Sequence, residues 1–269
     1  MYLADYHTHS RVSPDGRASM LEMAAAARDA GLDEICFTDH FEPVRPRTVI
    51  PREKFDWAAL TAEYTDALAR WDGPVKLRLG LELGDAQTDE ALTERLLSGM
   101  PELDFIIGSV HMLSERFGLQ DIGWMQEPDE KACYAEAEDY LKNLLRMARW
   151  GKFNVLGHMT LPLRYMNDFR GFSISLDGYG AELEEILRTL IAGGLGVELN
   201  TSRGGQFLPG AKWLKLYRSL GGEIVTLGSD AHRPPDVGRG IREGQALLRE
   251  CGFARFCTFE KQKPLWHAL

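Results

Sequence analysis

Basic residues are the minority in this chain, 31 Lys and Arg against 40 Asp and Glu, for a formal net charge of -9, and they are scattered rather than gathered into a stripe. That argues against a long nucleic-acid footprint. Cysteine is scarce: Cys36, Cys133, Cys251 and Cys257 are widely spaced and none belongs to a CxxC pair. A Cys-rich structural zinc site and a disulfide framework are therefore not implied, and a reduced cytoplasmic protein with buried thiols is expected. No apolar run approaches a membrane span, and Met1 to Asp5 lacks the basic and apolar regions of a signal peptide. Also missing are a Pro/Gly/Ser-rich linker and a repeat of solenoid length, so one domain over residues 1–269 is expected.

What is present is an alternation of apolar runs of strand length with segments of helical periodicity, the pattern of an α/β fold with a largely parallel sheet. Seven strands are predicted near residues 3–6, 34–38, 75–81, 105–110, 153–157, 195–199 and 224–228. Helices are predicted near 19–30, 56–71, 89–97, 129–150, 179–192, 211–220 and 242–250. Gly31, Gly73, Gly151, Gly193 and Gly221 follow helical stretches where a left-handed C-terminal residue would fall. Less regular stretches at 41–54, 113–127, 162–178 and 201–210 each follow a strand and precede a helix. On a parallel barrel, loops of that kind surround the active site.

Six of the seven histidines fall at or just beyond predicted strand ends: His7, His9, His40, His111, His158 and His232. Carboxylates share these positions: Asp39 beside His40, Glu82 at the end of the third strand, and Asp230 two residues before His232. Parallel strands bring all of them to one rim. One histidine at a strand end is more often a hydrogen-bonded structural residue than a ligand, but six interleaved with carboxylates reverse that balance. Crowded carboxylates repel and lose hydration, and bound cations remove the cost. Imidazole with carboxylate suits zinc, iron or manganese. In D-Y-H-T-H-S the two histidines are two residues apart, so on a strand they point to one side and can grip one ion.

The segments D-Y-H-T-H-S with Asp15, T-D-H ending at His40, G-L-E-L-G around Glu82, G-S-V-H ending at His111, G-H ending at His158, and S-D-A-H ending at His232 resemble the PHP (polymerase and histidinol phosphatase) superfamily. Within it, T-D-H-F-E-P, G-L-E-L-G and E-L-N-T-S make the chain similar to the histidinol-phosphatases. The resemblance implies a distorted (β/α)7 barrel, TIM-like, and a phosphomonoester hydrolase of histidine biosynthesis that converts L-histidinol phosphate and water to L-histidinol and phosphate. It implies three divalent ions: one on His7, His9, Glu82 and Asp230, one on Glu82, His111 and His158, and one on Asp15, His40 and His232. Asp15 stands where relatives often carry His. Glu82 would bridge two ions, and with Asp230 and His232 it would sit at the reacting centre, where a metal-bridging hydroxide attacks phosphorus in line.

Asp39 has no ligand role in that scheme and reads equally as a residue orienting a ligand or as a turn residue. Arg164 and Arg203, after the fifth and sixth strands, are candidates to hold the phosphate as bidentate donors, with plain surface arginines the competing reading. Glu42 is a candidate for the substrate amine, with a solvated carboxylate the favoured competing reading, and Asn200 either orients the site or ends its strand. Met20, Leu21 and Met23, with the alanines up to Ala27, read as a helix face packed on the barrel, and His267 as an exposed residue outside every motif. Three other readings stay open: an amidohydrolase-type hydrolase, though no Lys occupies the strand ends; a PHP phosphoesterase for nucleotides or other small phosphoesters; and a metal-stabilised module without activity.

Overall fold

The computed structural model describes residues 1–44, 46, 55–202 and 206–269. All seven predicted strands form: β1 (Ala4–Thr8), β2 (Glu34–Phe37), β4 (Lys76–Gly84), β5 (Phe105–Ser109), β6 (Val155–Leu156), β7 (Gly196–Asn200) and β8 (Val225–Gly228). They pair in parallel in that order, and β1 meets the segment after β8 through a parallel bridge between Thr8 and Ala231 that nearly closes the sheet. The result is a seven-stranded, TIM-like α/β barrel. Every residue of β1, β2, β5, β7 and β8 is buried, as strands covered on both faces require.

A two-residue strand, β3 (His40–Phe41), pairs with the second half of β4, while β2 pairs with the first half. The register sets His40 opposite Glu82. This handover along one nine-residue strand distorts the barrel where the histidines gather.

Helices run between the strands: α1 (Met20–Asp29), α2 (Trp57–Arg70), α3 (Glu90–Leu97), α4 (Glu130–Trp150), a short turn α5 (Leu161–Leu163), α6 (Gly180–Ala192), α7 (Ala211–Ser219) and α8 (Ile241–Glu250). Their starts are chemically marked. Ser19 and Glu22 form a reciprocal capping box on α1, and Asp56, Asp89 and Asp129 accept backbone N–H groups at the heads of α2, α3 and α4, each contributing on the order of 1 kcal/mol. Met20, Met23, Ala24 and Ala27 are the buried face of α1. Gly31, Gly151 and Gly221 are left-handed as expected. Gly193 is not, having φ of -78°; the left-handed residue is its neighbour Gly194. Gly73 does not have positive φ either, because the chain leaves α2 through an extended Trp71 and needs no reversal there.

The sequence reading contained no element after α8, yet β9 (Arg255–Glu260) and β10 (Lys263–Ala268) form an antiparallel hairpin. Its two-residue turn holds Lys261 and Gln262 at φ of 50° and 59°, a conformation that Asn-Gly usually signals. The strain is offset by anchoring, since the N–H groups of both residues donate to Asp104. The hairpin caps the end of the barrel opposite the histidines: Tyr6 Oη donates to the Phe259 carbonyl and accepts from its N–H, and Phe259 packs on Phe105. His267 belongs to this cap. It is half-buried, stacked on Tyr2 at 4.0 Å and bonded to Thr258, which corrects the expectation that it is exposed.

Candidate metal centre

The parallel barrel brings the six motif histidines to one rim, and their donor atoms sort into three clusters. In the first, His7 Nε2 lies 3.3 Å from Glu82 Oε2 and 3.7 Å from Asp230 Oδ1, and His9 Nε2 lies 3.6 and 3.5 Å from the same two oxygens. In the second, His111 and His158 Nε2 lie 3.2 and 3.0 Å from Glu82 Oε1 and 3.3 Å from each other. In the third, His40 and His232 Nε2 lie 3.7 and 3.1 Å from Asp15 Oδ2 and 3.4 Å from each other. Glu82 thus presents one oxygen to each of the first two clusters. The clusters touch: ligand atoms of His9, His40 and His232 lie within 4.8 Å of one another, as do those of His40, Glu82 and His111.

These separations fit a transition metal. Zinc at its usual distance from nitrogen and oxygen ligands, in tetrahedral geometry, sets ligand atoms about 3.4 Å apart. Moreover, His7 Nε2 and His9 Nε2 are buried without a hydrogen-bond partner in the protein, a costly arrangement unless something else satisfies them. The charges of these groups are strongly coupled. Burial would push the Glu82 and Asp230 carboxyls up, but the surrounding imidazoles hold both well below the usual range. Burial and the neighbouring His40 and His232 push His9 well down. For His111 burial is outweighed by Glu82, which raises it to about 9.

A second layer of buried polar groups orients the donors. Glu198, inside β7, accepts from two of them: its Oε1 is 2.6 Å from His7 Nδ1 and its Oε2 takes the His158 backbone N–H at 2.8 Å. Gly228 is what allows this approach, since a Cβ there would lie 2.4 Å from Glu198 Oε1 and 2.3 Å from His7 Cβ. Asp39 accepts the N–H and hydroxyl of both Ser10 and Ser13, and Ser13 Oγ contacts His9 Nδ1 at 3.1 Å. The ligand-orienting reading of Asp39 therefore has a physical path, through a serine. Asp5 accepts Ser229 N–H, Ser229 Oγ and Gly238 N–H, pinning the turn that carries Asp230. His158 and Asp230 are held at φ of 21° and 55°, conformations that persist only where surrounding contacts impose them.

The sequence reading missed Glu198, Asp5 and Asp85. Asp85, left-handed after β4, accepts the N–H groups of His111 and Met112, and burial raises its carboxyl to about 6. A signal existed in all three cases: an acidic residue inside or directly after an otherwise apolar strand must be bonded to something.

Beside the clusters opens a cavity of about 490 Å³, lined among others by Glu42, Asp85, Trp124, Arg164 and Tyr165. Arg164 is buried, donates through Nη2 to Asn200 Oδ1 at 2.8 Å and approaches Asp230 Oδ2 at 3.8 Å. It is not a surface arginine. Asn200 in turn faces Glu198 and Asp230, so it orients the site besides ending its strand. Glu42 also lines the cavity, with its carboxylate 3.3 Å from His40 Nδ1 and 3.8 Å from His111 Nδ1, where it touches the histidines as well as the open space. Arg203 lies outside the described residues.

The chain is 29% identical to a Deinococcus radiodurans protein described as a probable histidinol-phosphatase, over 97% of this chain and 98% of the relative. It is 27% identical to the histidinol-phosphatase of Lactococcus lactis, covering 96% of this chain and 95% of that one. The crystal structure of the histidinol phosphate phosphatase from Lactococcus lactis, complexed with zinc, L-histidinol and phosphate, superposes with a TM-score of 0.78 at 25% identity, over 98% of each chain. The PHP domain model matches residues 5–202, a span that runs from β1 through β7 and includes seven of the nine candidate donor residues. The chain belongs to the PHP domain family.

Proposed function

We propose that this protein is a metal-dependent histidinol-phosphatase, hydrolysing L-histidinol phosphate to L-histidinol and phosphate. The observation that carries the reading is the meeting of two donor clusters on the two oxygens of one buried glutamate, with a third cluster adjoining them, beside a cavity of small-molecule size that contains a buried arginine. Similarity to histidinol-phosphatases over nearly the full length of both chains supports the same substrate.

In this reading His7, His9, Glu82 and Asp230 hold one divalent ion, Glu82, His111 and His158 a second, and Asp15, His40 and His232 a third, drawn from zinc, manganese or iron. Bound there, the ions would activate water for attack and neutralise phosphate oxygens. The chain's own groups do the positioning. Glu198 and Asp39 fix the faces that His7, His158 and His9 present, and Arg164 donates toward the phosphate from a guanidinium already oriented by Asn200. The residues at the reacting centre are Glu82, Asp230 and His232, with Glu42 available to the substrate amine. We place the activity in the cytoplasm and in one domain, in keeping with four cysteines that are buried and free.

The test is metal analysis and steady-state kinetics after reconstitution with zinc, manganese or iron, on histidinol phosphate beside other phosphomonoesters and mononucleotides. The expected result is more than one metal equivalent per chain and a clear preference for histidinol phosphate. Full activity without metal would sink the metal reading, and a preference for mononucleotides would replace the substrate.

A further inference from the structure

Past the metal clusters the cleft continues into a second hollow of about 470 Å³, which shares Arg164, Tyr165, Asp230 and His232 with the first cavity. Its far wall carries Arg233, Asp236 and Arg239. Asp236 holds both guanidiniums: its Oδ2 accepts from Arg233 Nε and Nη2 at 3.2 and 2.9 Å, and its Oδ1 lies 2.6 Å from Arg239 Nη2. A guanidinium carries five N–H donors, so these contacts orient the two arginines while using one or two donors each. Three arginines face two carboxylates here, a local excess of positive charge in a chain of net charge -9. In an acidic protein such a hollow focuses the field for an anion.

The far wall stands outside the metal clusters. The Arg233 and Arg239 side chains are 71% and 47% exposed and bond to no donor residue of the rim in the contacts described. What distinguishes the hollow is its continuity with the cavity in which the phosphate would be released, with Arg164 standing between the two. We propose that it is a second oxyanion subsite, in which inorganic phosphate is held by Arg233 and Arg239 after leaving the metals. This rests on the phosphatase reading for the source of the anion, but not for the binding itself.

The experiment is calorimetric titration of the metal-loaded protein with inorganic phosphate, comparing wild type with Arg233→Gln and Arg239→Gln. Neither side chain is buried, so both variants should keep the wild-type melting temperature and metal content. The expected result is two phosphate equivalents in wild type, a tighter and a weaker. Loss of one charge-assisted contact should weaken the second event about tenfold in each variant, leaving the first unchanged. A single equivalent in wild type, or a weaker event unchanged in the variants, would overturn the subsite. Absence of phosphatase turnover with every metal would refute the activity instead, and the phosphate stoichiometry would still decide the subsite.

Discussion

Glu198→Gln tests the layer behind the metal donors with almost no change in volume. The native carboxylate uses both oxygens as acceptors, one toward His7 Nδ1 at 2.6 Å and one from the His158 backbone N–H at 2.8 Å. Glutamine has a single acceptor oxygen. If that oxygen keeps His158, its NH2 faces His7, which must then turn Nδ1 into an acceptor and protonate Nε2, the atom aimed at Glu82 and Asp230. If it keeps His7, a buried N–H is left facing an NH2. Either way the molecule loses a charge-assisted hydrogen bond of about 1.5–3 kcal/mol in a buried place. Orienting partners of metal-bound histidines typically account for roughly 10–100-fold in metal affinity or activity, and the same range is expected here. The assay is chelator competition for zinc together with kcat/KM on histidinol phosphate. Affinity and efficiency both within twofold of wild type would refute the orienting role.

Three further outcomes follow from the same geometry. Glu82→Gln removes the charge that faces two clusters, so it should lower metal content and nearly abolish turnover while circular dichroism shows the fold intact; full metal occupancy with normal activity would show that Glu82 does not bridge. Arg164→Ala should reduce kcat/KM roughly ten- to a hundredfold, and Arg164→Lys should recover only part because it keeps the charge but loses the fork; steady-state kinetics check this, and an unchanged value removes Arg164 from substrate binding. Glu136, on α4, is pushed up to about 8 by burial and by the Glu127 carboxylate beside it, with Arg170 opposing. The folded state therefore retains a proton that the unfolded chain releases, and stability falls as pH rises from about 5 through 8. After discounting for solvent contact, Glu136→Gln should gain about 1–2 kcal/mol, or about 2–6 °C in Tm, at pH 8.5 and nothing at pH 5; equal shifts at both pH values in a thermal melt would rule this out.

Most of the barrel was readable because each of its devices is local. Apolar runs bounded by Asp or Ser caps and glycine stops set the seven strands and the helices between them, and the histidines could be recognised as a group because each sits at the same end of its strand. The final hairpin escaped because its turn is built from Lys261 and Gln262, residues that carry no turn signal of their own, and is held by Asp104, which is 157 positions from Lys261 in the chain. Glu198, Asp5 and Asp85 escaped for a related reason: their meaning lies in partners on other strands. Even Gly73 and Gly193 show the limit, since a glycine after a helix permits a left-handed turn without demanding one.

The amino-acid sequence by itself determined the fold class, the candidate donor residues and the rim on which they meet, because periodicity and strand direction dictate which way a side chain faces. Only the tertiary structure decided how the donors divide among clusters, that Glu82 turns one oxygen to each of two, that Asp39 reaches His9 through Ser13, and that Arg164 is buried against Asn200. Those are relations between strands distant in the chain. They depend on register and on the split of β4 between β2 and β3, which places His40 opposite Glu82, and register is set by packing over the whole barrel rather than by any segment of it.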